Sequence, residues 1–345
     1  MSAPTRAALL FAGLLTAGLL VWQLSGVLLL AFASVLLALI LRSFADFFQR
    51  FTPLRPPWTL LVAGLVILAV VAAFTAFIGR QVYTQISDLF ANLPETLEYL
   101  GEQVGIDDLE DRITAWLENA GGNGLAGTIA GYTFGLLDSL TTLLVVVVAG
   151  IYLAIDPATY VKGALKLVPR MGRERIHRAM NLSATALQRW LLGQLCSMAF
   201  VGVLTTGGLY LIGMPSPLAL GFLAGLAEFV PLVGPIAASI PAILLALTQD
   251  GNTVIWVILL YLAIQQIDGN IILPLIQKRA VKLPPALMLF AILVAGALFG
   301  VIGVVLAVPM TVLLYVLVKQ LYVRETLGED TSIPGEQADP RKAEQ

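Results

Sequence analysis

The chain has 345 residues, 58% of them hydrophobic and only 12% charged, with 20 basic against 22 acidic side chains and a mean hydropathy of +0.89. A soluble domain is roughly one-quarter charged, so this chain lacks the polar surface to cover itself in water, and its short basic clusters exclude the extended stripe that nucleic acid requires. One cysteine, Cys196, and one histidine, His177, exclude a disulfide framework and a histidine-built metal site.

In chain order, residues 1–79 read as membrane helices forming a scaffold. Apolar runs at 7–22 and 26–41 are joined through Gln23–Ser25, and a third span covers 58–79. Arg6 before the first run imitates a signal peptide. No small-residue cleavage site follows and the second run begins at once, so the segment reads as an uncleaved anchor. Residues 80–131 change character, with nine acids against Arg80 and Arg112. Leucines at 89, 93, 97 and 100 recur at helical spacing, as do Leu109, Ile113, Trp116 and Leu117, which predicts two amphipathic helices. They read equally as a lid or subunit contact and as a helical hairpin packed on the membrane face. Residues 132–155 span again and end in GIYLAIDP; 156–192 are polar and basic, with an interfacial amphipathic stripe at Ile176, Met180, Leu187, Trp190 and Leu191. Residues 193–322 form an apolar transport core, and 323–345, rich in Pro and Gly, read as a disordered tail.

Basic residues in short loops resist translocation. Arg42, Arg50 and Arg55 follow the second run, and Lys162, Lys166, Arg170, Arg173, Arg175, Arg178 and Arg189 follow the fourth span. These loops are expected inside, the acidic segment outside, and both termini in the cytoplasm.

Within the core, 218–247 holds AEFVPLVGPIAASIP, where Pro231, Gly234 and Pro235 interrupt the backbone. Proline removes a donor and clashes with the preceding turn, and broken backbone at membrane depth is tolerated only inside protein or beside a wet cavity. A re-entrant hairpin is the expectation. Residues 285–318 are interrupted by GALFGVIG at Gly296, Gly300 and Gly303 and read as a second hairpin of opposite orientation. Laying one over the other pairs Pro217 with Pro285, Phe222 with Phe290, Ala227 with Ala295 and Pro241 with Pro309. Paired, interrupted segments of opposite topology point to a transporter's binding site.

Glu228 precedes the first tip, and Gln265, Gln266, Asp268 and Asn270 lie near the inner half of the crossing helix 252–275. Ionisable groups at such depth are expensive and mark function by default. Two readings stand for them: binding a cation, a proton or a hydroxylated solute, or, structurally, Glu228 capping backbone freed by Pro231 and Asp268–Asn270 forming an interfacial break. Intramembrane protease motifs are missing, since the single histidine lies in a basic loop and no Gly-x-Gly-Asp occurs. The phosphate-cradling Gly-x-x-x-x-Gly-Lys is missing too. No enzyme is expected.

Four blocks in order, GIYLAIDP at 150–157, AEFVPLVGPIAASIP at 227–241, QQIDGNIILPLI at 265–276 and GALFGVIGVVLAVP at 296–309, resemble the AI-2E (autoinducer-2 exporter) family of bacterial membrane proteins. The resemblance covers the latter two-thirds of the chain. It implies transport, either of the furanosyl signal autoinducer-2 or as Na⁺(Li⁺)/H⁺ antiport, and a homo-oligomer. Family motif positions fall on Glu228, Pro231, Gly234, Pro235, Gln266, Asn270, Pro274, Gly300, Gly303 and Pro309, with Asp268 compatible.

The expected fold is thus an all-α polytopic membrane protein with about five full spans plus two oppositely oriented re-entrant hairpins. It is placed in the bacterial inner membrane, as a secondary transporter of a small polar solute, using no cofactor beyond Na⁺ or H⁺ coupling. The alternatives are an antiporter whose cargo is a monovalent cation, or a channel or scaffold. The expected path residues are Glu228, Pro231, Gly234, Pro235, Gln265, Gln266, Asp268, Asn270, Gly300 and Gly303.

Overall fold

The computed structural model describes residues 16, 18–20, 22–49, 59, 60, 62, 64, 142–247, 249, 251–272, 274, 281 and 283–336. Most of the runs 7–22 and 58–79, the whole acidic segment 80–131, the start of span 132–155 and the tail beyond 336 lie outside the described residues. So do Lys278, Arg279 and Lys282.

All regular structure among the described residues is helical. Helix α1 is Ser25–Gln49. Helix α2, Thr142–Ile155, turns through 89° into α3, Pro157–Lys166. The long α4 is Arg173–Ile212. Helices α5 (Pro217–Ala227) and α6 (Val233–Leu247) are short and apolar. Helix α7, Gly251–Ile267, passes into a π-helical turn at Asp268–Ile272. Helix α8 runs Pro285–Leu317 and ends in a second π-helical stretch, Val318–Arg324. By length and composition four of these helices are apolar enough to cross a bilayer, α8 being counted across its break at Gly300, and α2 with α3 makes a fifth if counted as one bent span. Leucine, isoleucine and valine side chains are exposed all along them, a surface that suits lipid and not water. The chain is a multi-pass membrane protein.

The helices divide into two compact units. In the first, α1 packs on α2 and α8. Leu37 fills the space beside Gly150, and Arg42 Nε donates to the Ala154 carbonyl (3.0 Å) where α2 ends. Gln188 Nε2 of α4 donates to Ser43 Oγ (2.9 Å). The basic segment and the span after it are one unbroken helix, α4, where the sequence pattern divided them near residue 192. Its apolar stripe simply continues as the charges stop.

The first unit also corrects the tail. Residues 325–336 fold back onto the protein, although their composition reads as disordered. The Arg324 guanidinium grips Glu336 with two bonds (2.6 and 2.9 Å) and donates to the Thr331 carbonyl. Glu325 pairs with Arg175 at 3.3 Å, Ile333 is buried, and Gly335 sits against the Leu182 carbonyl, where a Cβ would come within 2.7 Å. Composition predicts whether a segment can build a core of its own; it is blind to a core supplied by another helix.

In the second unit, the later part of α4 packs with α5, α6 and α7. Small residues set the spacing. Gly225 of α5 faces the Met198 carbonyl of α4, where a Cβ would stand 2.7 Å away, the close backbone approach typical of apolar helix pairs. Ala238, Ala242 and Ala246 line one face of α6 and meet Val257, Tyr261 and Ile264 of α7 in a buried cluster. Each set follows helical spacing, so two smooth faces mate.

Candidate functional site

Helix α5 starts at Pro217, whose fixed φ suits a first helical position. It stops at Glu228 because the chain turns over residues 228–232, where Pro231 cannot extend a helix and Leu232 takes φ +73°. Helix α6 then returns against α5. Gly234 makes the return possible: a side chain there would overlap the Ala227 carbonyl. Gly234 N donates to the Val230 carbonyl (2.8 Å) and Val230 N to Ala227 (3.0 Å), so much of the broken backbone is satisfied within the turn. Pro231 is half-buried, while Gly234 and Pro235 are buried.

The second interrupted run has the same device. Gly300 takes φ +64°, ψ −146°, inside α8, a region essentially reserved for glycine. Gly303 abuts the Ala295 carbonyl as Gly234 abuts that of Ala227. Eight residues apart, these groups would stand about 12 Å apart in a straight helix, so the run folds back at Gly300. The positive-φ positions, Leu232 and Gly300, lie equally far along the chain from Pro217 and Pro285. Pro285 and Pro217 both open their helices, and Pro241 and Pro309 both sit inside them. Gly300 and Gly303 belong to the first unit, and the other expected site residues to the second.

The second unit brings a polar group together around Glu228. That side chain is 4% exposed and Asp268 5%. Gln265 Nε2 donates to Glu228 Oε2 (3.3 Å), and Gln194 Nε2 donates to the Glu228 backbone carbonyl (2.6 Å). Ser197 Oγ donates to Asp268 Oδ1. Gln265, which donates to Glu228, and Asp268 lie three residues apart across the end of α7. Gln194 and Ser197, three apart on α4, and Gln265 and Asp268, three apart from α7 into its π-turn, each present two groups on one helix face. The π-turn widens the helix where Asp268 points inward, as such turns often do at functional positions.

Gln266 and Asn270 turn away from this group. Both are exposed, and Asn270 Nδ2 donates to Gln266 Oε1 (2.8 Å) and to its carbonyl (2.9 Å). Sequence reasoning named Glu228, Gln265 and Asp268 but missed Gln194 and Ser197. Their only signal was polarity at α4 spacing, inside a run that otherwise reads as an ordinary span.

The side chains that donate to the two carboxylates, Gln265 and Ser197, are neutral, and no ion pair among the described residues includes either acid. Two buried carboxyl groups with neutral partners can take up a proton or a small cation, because ionising both in a low-dielectric interior without one is prohibitive. No cluster of three histidine, cysteine or acidic side chains occurs among the described residues. An open polar cavity of about 710 Å³, lined by Leu211, Ile212, Asn252, Thr253 and Trp256, lies at the far ends of α4 and α7 from Ser197 and Asp268.

The chain is similar to several curated bacterial proteins. It is 29% identical over 272 residues to "Putative transport protein YrrI" of Bacillus subtilis, covering 73% of this chain and 77% of that one. It is 25% identical over 284 residues to "Putative transport protein YueF" of the same organism, covering 77% and 75%. It is 26% identical over 234 residues to "Putative permease PerM" of Escherichia coli K12, covering 67% and 65%. The family model described as AI-2E family transporter matches residues 9–323. With four ordered sequence blocks, two folded-back runs and a match over nearly its whole length, this chain belongs to the AI-2E family of transporters.

Proposed function

We propose that this protein is a secondary transporter of the bacterial inner membrane that moves a small polar solute, of the autoinducer-2 type, coupled to H⁺ or Na⁺ at Glu228 and Asp268. The supporting observation is the buried carboxyl pair that, among the described residues, is held by neutral donors beside a broken helix. Such a pair is stable when it shares a proton or holds a monovalent cation; exchanging one for the other keeps the net charge of the core but changes the ionisation of the carboxyl groups and puts a larger ion in the proton's place. Glu228 lies at the start of the turn, so a change in its charge acts directly on the backbone that Pro231 and Leu232 bend. Each turn, Pro231–Pro235 in the second unit and Gly300–Gly303 in the first, offers a solute the backbone groups that it does not satisfy within itself. The protein works as a homo-oligomer with both termini cytoplasmic. A second reading rests on the same pair: the cation itself is the cargo, and the protein is an Na⁺(Li⁺)/H⁺ antiporter.

The test is reconstitution into liposomes, with an imposed Na⁺ gradient and simultaneous recording of internal pH and solute uptake. Solute flux that rises with the gradient supports coupled transport. A pH change without solute flux selects the antiporter. Flux of both kinds that is indifferent to any gradient would return the protein to a channel.

A further inference from the structure

The 89° bend between α2 and α3 carries a consequence for the surface that follows it. Helix α2 is apolar and suits a bilayer, so a helix at right angles to its end lies along the membrane plane. Helix α3 has no buried residue. Tyr160, Ala164 and Leu167 stand on one side of it at helical spacing, and Met171 follows on the next turn. Leu167 is 88% exposed and Met171 97%. Both are held in place, because the Arg173 guanidinium donates to the Val168 carbonyl (3.0 Å) and the Lys166 carbonyl (3.5 Å) and closes the loop that bears them. Tyr160 continues an apolar groove of about 670 Å³ with Val35, Leu144, Val148 and Tyr152 of α1 and α2. The exposed stripe is therefore continuous with the flank of the spanning helices. Lys162 and Lys166 are exposed on the opposite side of α3 at helical spacing, Arg170 is exposed just beyond it, and the three make no ion pair among the described residues.

We propose that residues 157–172 form a docking surface for anionic phospholipid, with Tyr160, Leu167 and Met171 entering the acyl boundary and Lys162, Lys166 and Arg170 holding headgroup phosphates. The charge sign selects anionic lipid, and long lysine and arginine stems let the charged ends reach headgroups from a helix whose apolar side is immersed. Docking here fixes α3 at the bilayer surface and so anchors the base of α4. The reading requires only that α2 spans the membrane, and stands or falls apart from the transport assignment.

The experiment uses the full chain with Cys196→Ala, in nanodiscs, with single cysteines at Leu167→Cys, Met171→Cys and the exposed α4 control Asn181→Cys, each carrying a bimane fluorophore. Quenching at 167 and 171 by lipids brominated high in the acyl chain, and at 181 only by aqueous iodide, is the expected result. Quenching of 167 and 171 by iodide alone, or by neither agent because protein covers them, overturns the proposal. A second measurement compares retained phosphatidylglycerol with phosphatidylcholine after purification from an equal mixture. Wild type should enrich the anionic lipid, less so at high salt. The variant K162Q/K166Q/R170Q should lose at least about tenfold of that preference, and lysine-to-arginine replacements at 162 and 166 should keep it. An unchanged preference in the glutamine variant overturns the proposal.

Discussion

Glu228 joins a side-chain role to a backbone role, and the two can be separated. Its carboxylate accepts from Gln265, while its carbonyl accepts from Gln194. Glu228→Gln keeps the shape and the Gln194 bond but removes the ionisable group. Ion-coupled flux should vanish while the melting temperature and oligomer size stay close to wild type; a variant that transports normally would reduce Glu228 to a packing residue. Ser197 Oγ donates to Asp268 Oδ1. Ser197→Ala removes the hydroxyl donor, and a hydrogen bond to a charged group contributes about 1.5–3 kcal/mol, so the Na⁺ concentration for half-maximal pH response should rise roughly tenfold or more. Ser197→Thr should restore it. An Na⁺ response that is the same in all three proteins would detach Ser197 from the coupling site. Glu228 and Asp268 were legible because a charge in an apolar run is costly and conspicuous. Gln194 and Ser197 were not, because neutral polar groups are common in spans and only packing decides which of them meet a carboxylate. Gln266 and Asn270, equally conspicuous in sequence, pair with each other on the exposed side of the π-turn.

At the scale of elements, the two folded-back runs rest on one positive-φ residue each, but of different kinds. Gly300 at φ +64°, ψ −146° occupies backbone space that a side chain resists. Leu232 holds φ +73° with its side chain in place. Gly300→Ala should destabilise by about 1–3 kcal/mol, seen as a lower melting temperature in detergent. Leu232→Gly should be tolerated to within about 1 kcal/mol, because relief of left-handed strain offsets the added chain entropy. Equal losses in both would mean that side-chain packing, not backbone geometry, limits the turns. The interruptions themselves were legible from proline and glycine; the fold-back was visible only once the Ala227 and Ala295 carbonyls met their glycines. The C-terminal strap shows the opposite case. Glu336→Gln weakens a partly exposed pair with Arg324 whose contribution is modest, whereas deletion from Glu325 onward also uncovers the α4 surface beside Gly335 and removes the Glu325 partner of Arg175. Trypsin should cut at Arg175 or Arg178 in the deletion far faster than in Glu336→Gln. Identical cleavage rates in the deletion and wild type would leave the strap without a protective role.

For the whole molecule, orientation follows from charge. Single cysteines at Asp107 and Gly172, in a background without Cys196, should be labelled from opposite sides of the membrane in intact cells. Labelling from the same side would undo the expectation that the two interrupted runs have opposite topology, since each is counted from these segments. The sequence by itself determined that the chain is helical and crosses a membrane, where its helices break, and which family it joins. Those properties follow from local terms: an apolar run satisfies its own backbone only as a helix, proline and glycine break it, and ordered motifs need no contacts to be recognised. Only the tertiary structure decided that α4 runs unbroken from the basic segment into the apolar core, that residues 325–336 are held down, and that Gln194, Ser197, Glu228, Gln265 and Asp268 converge. Composition records how apolar each segment is on average, whereas convergence depends on which faces of distant helices touch. In this chain small residues set those contacts, with glycine and alanine allowing the close approach that a hydropathy pattern does not register.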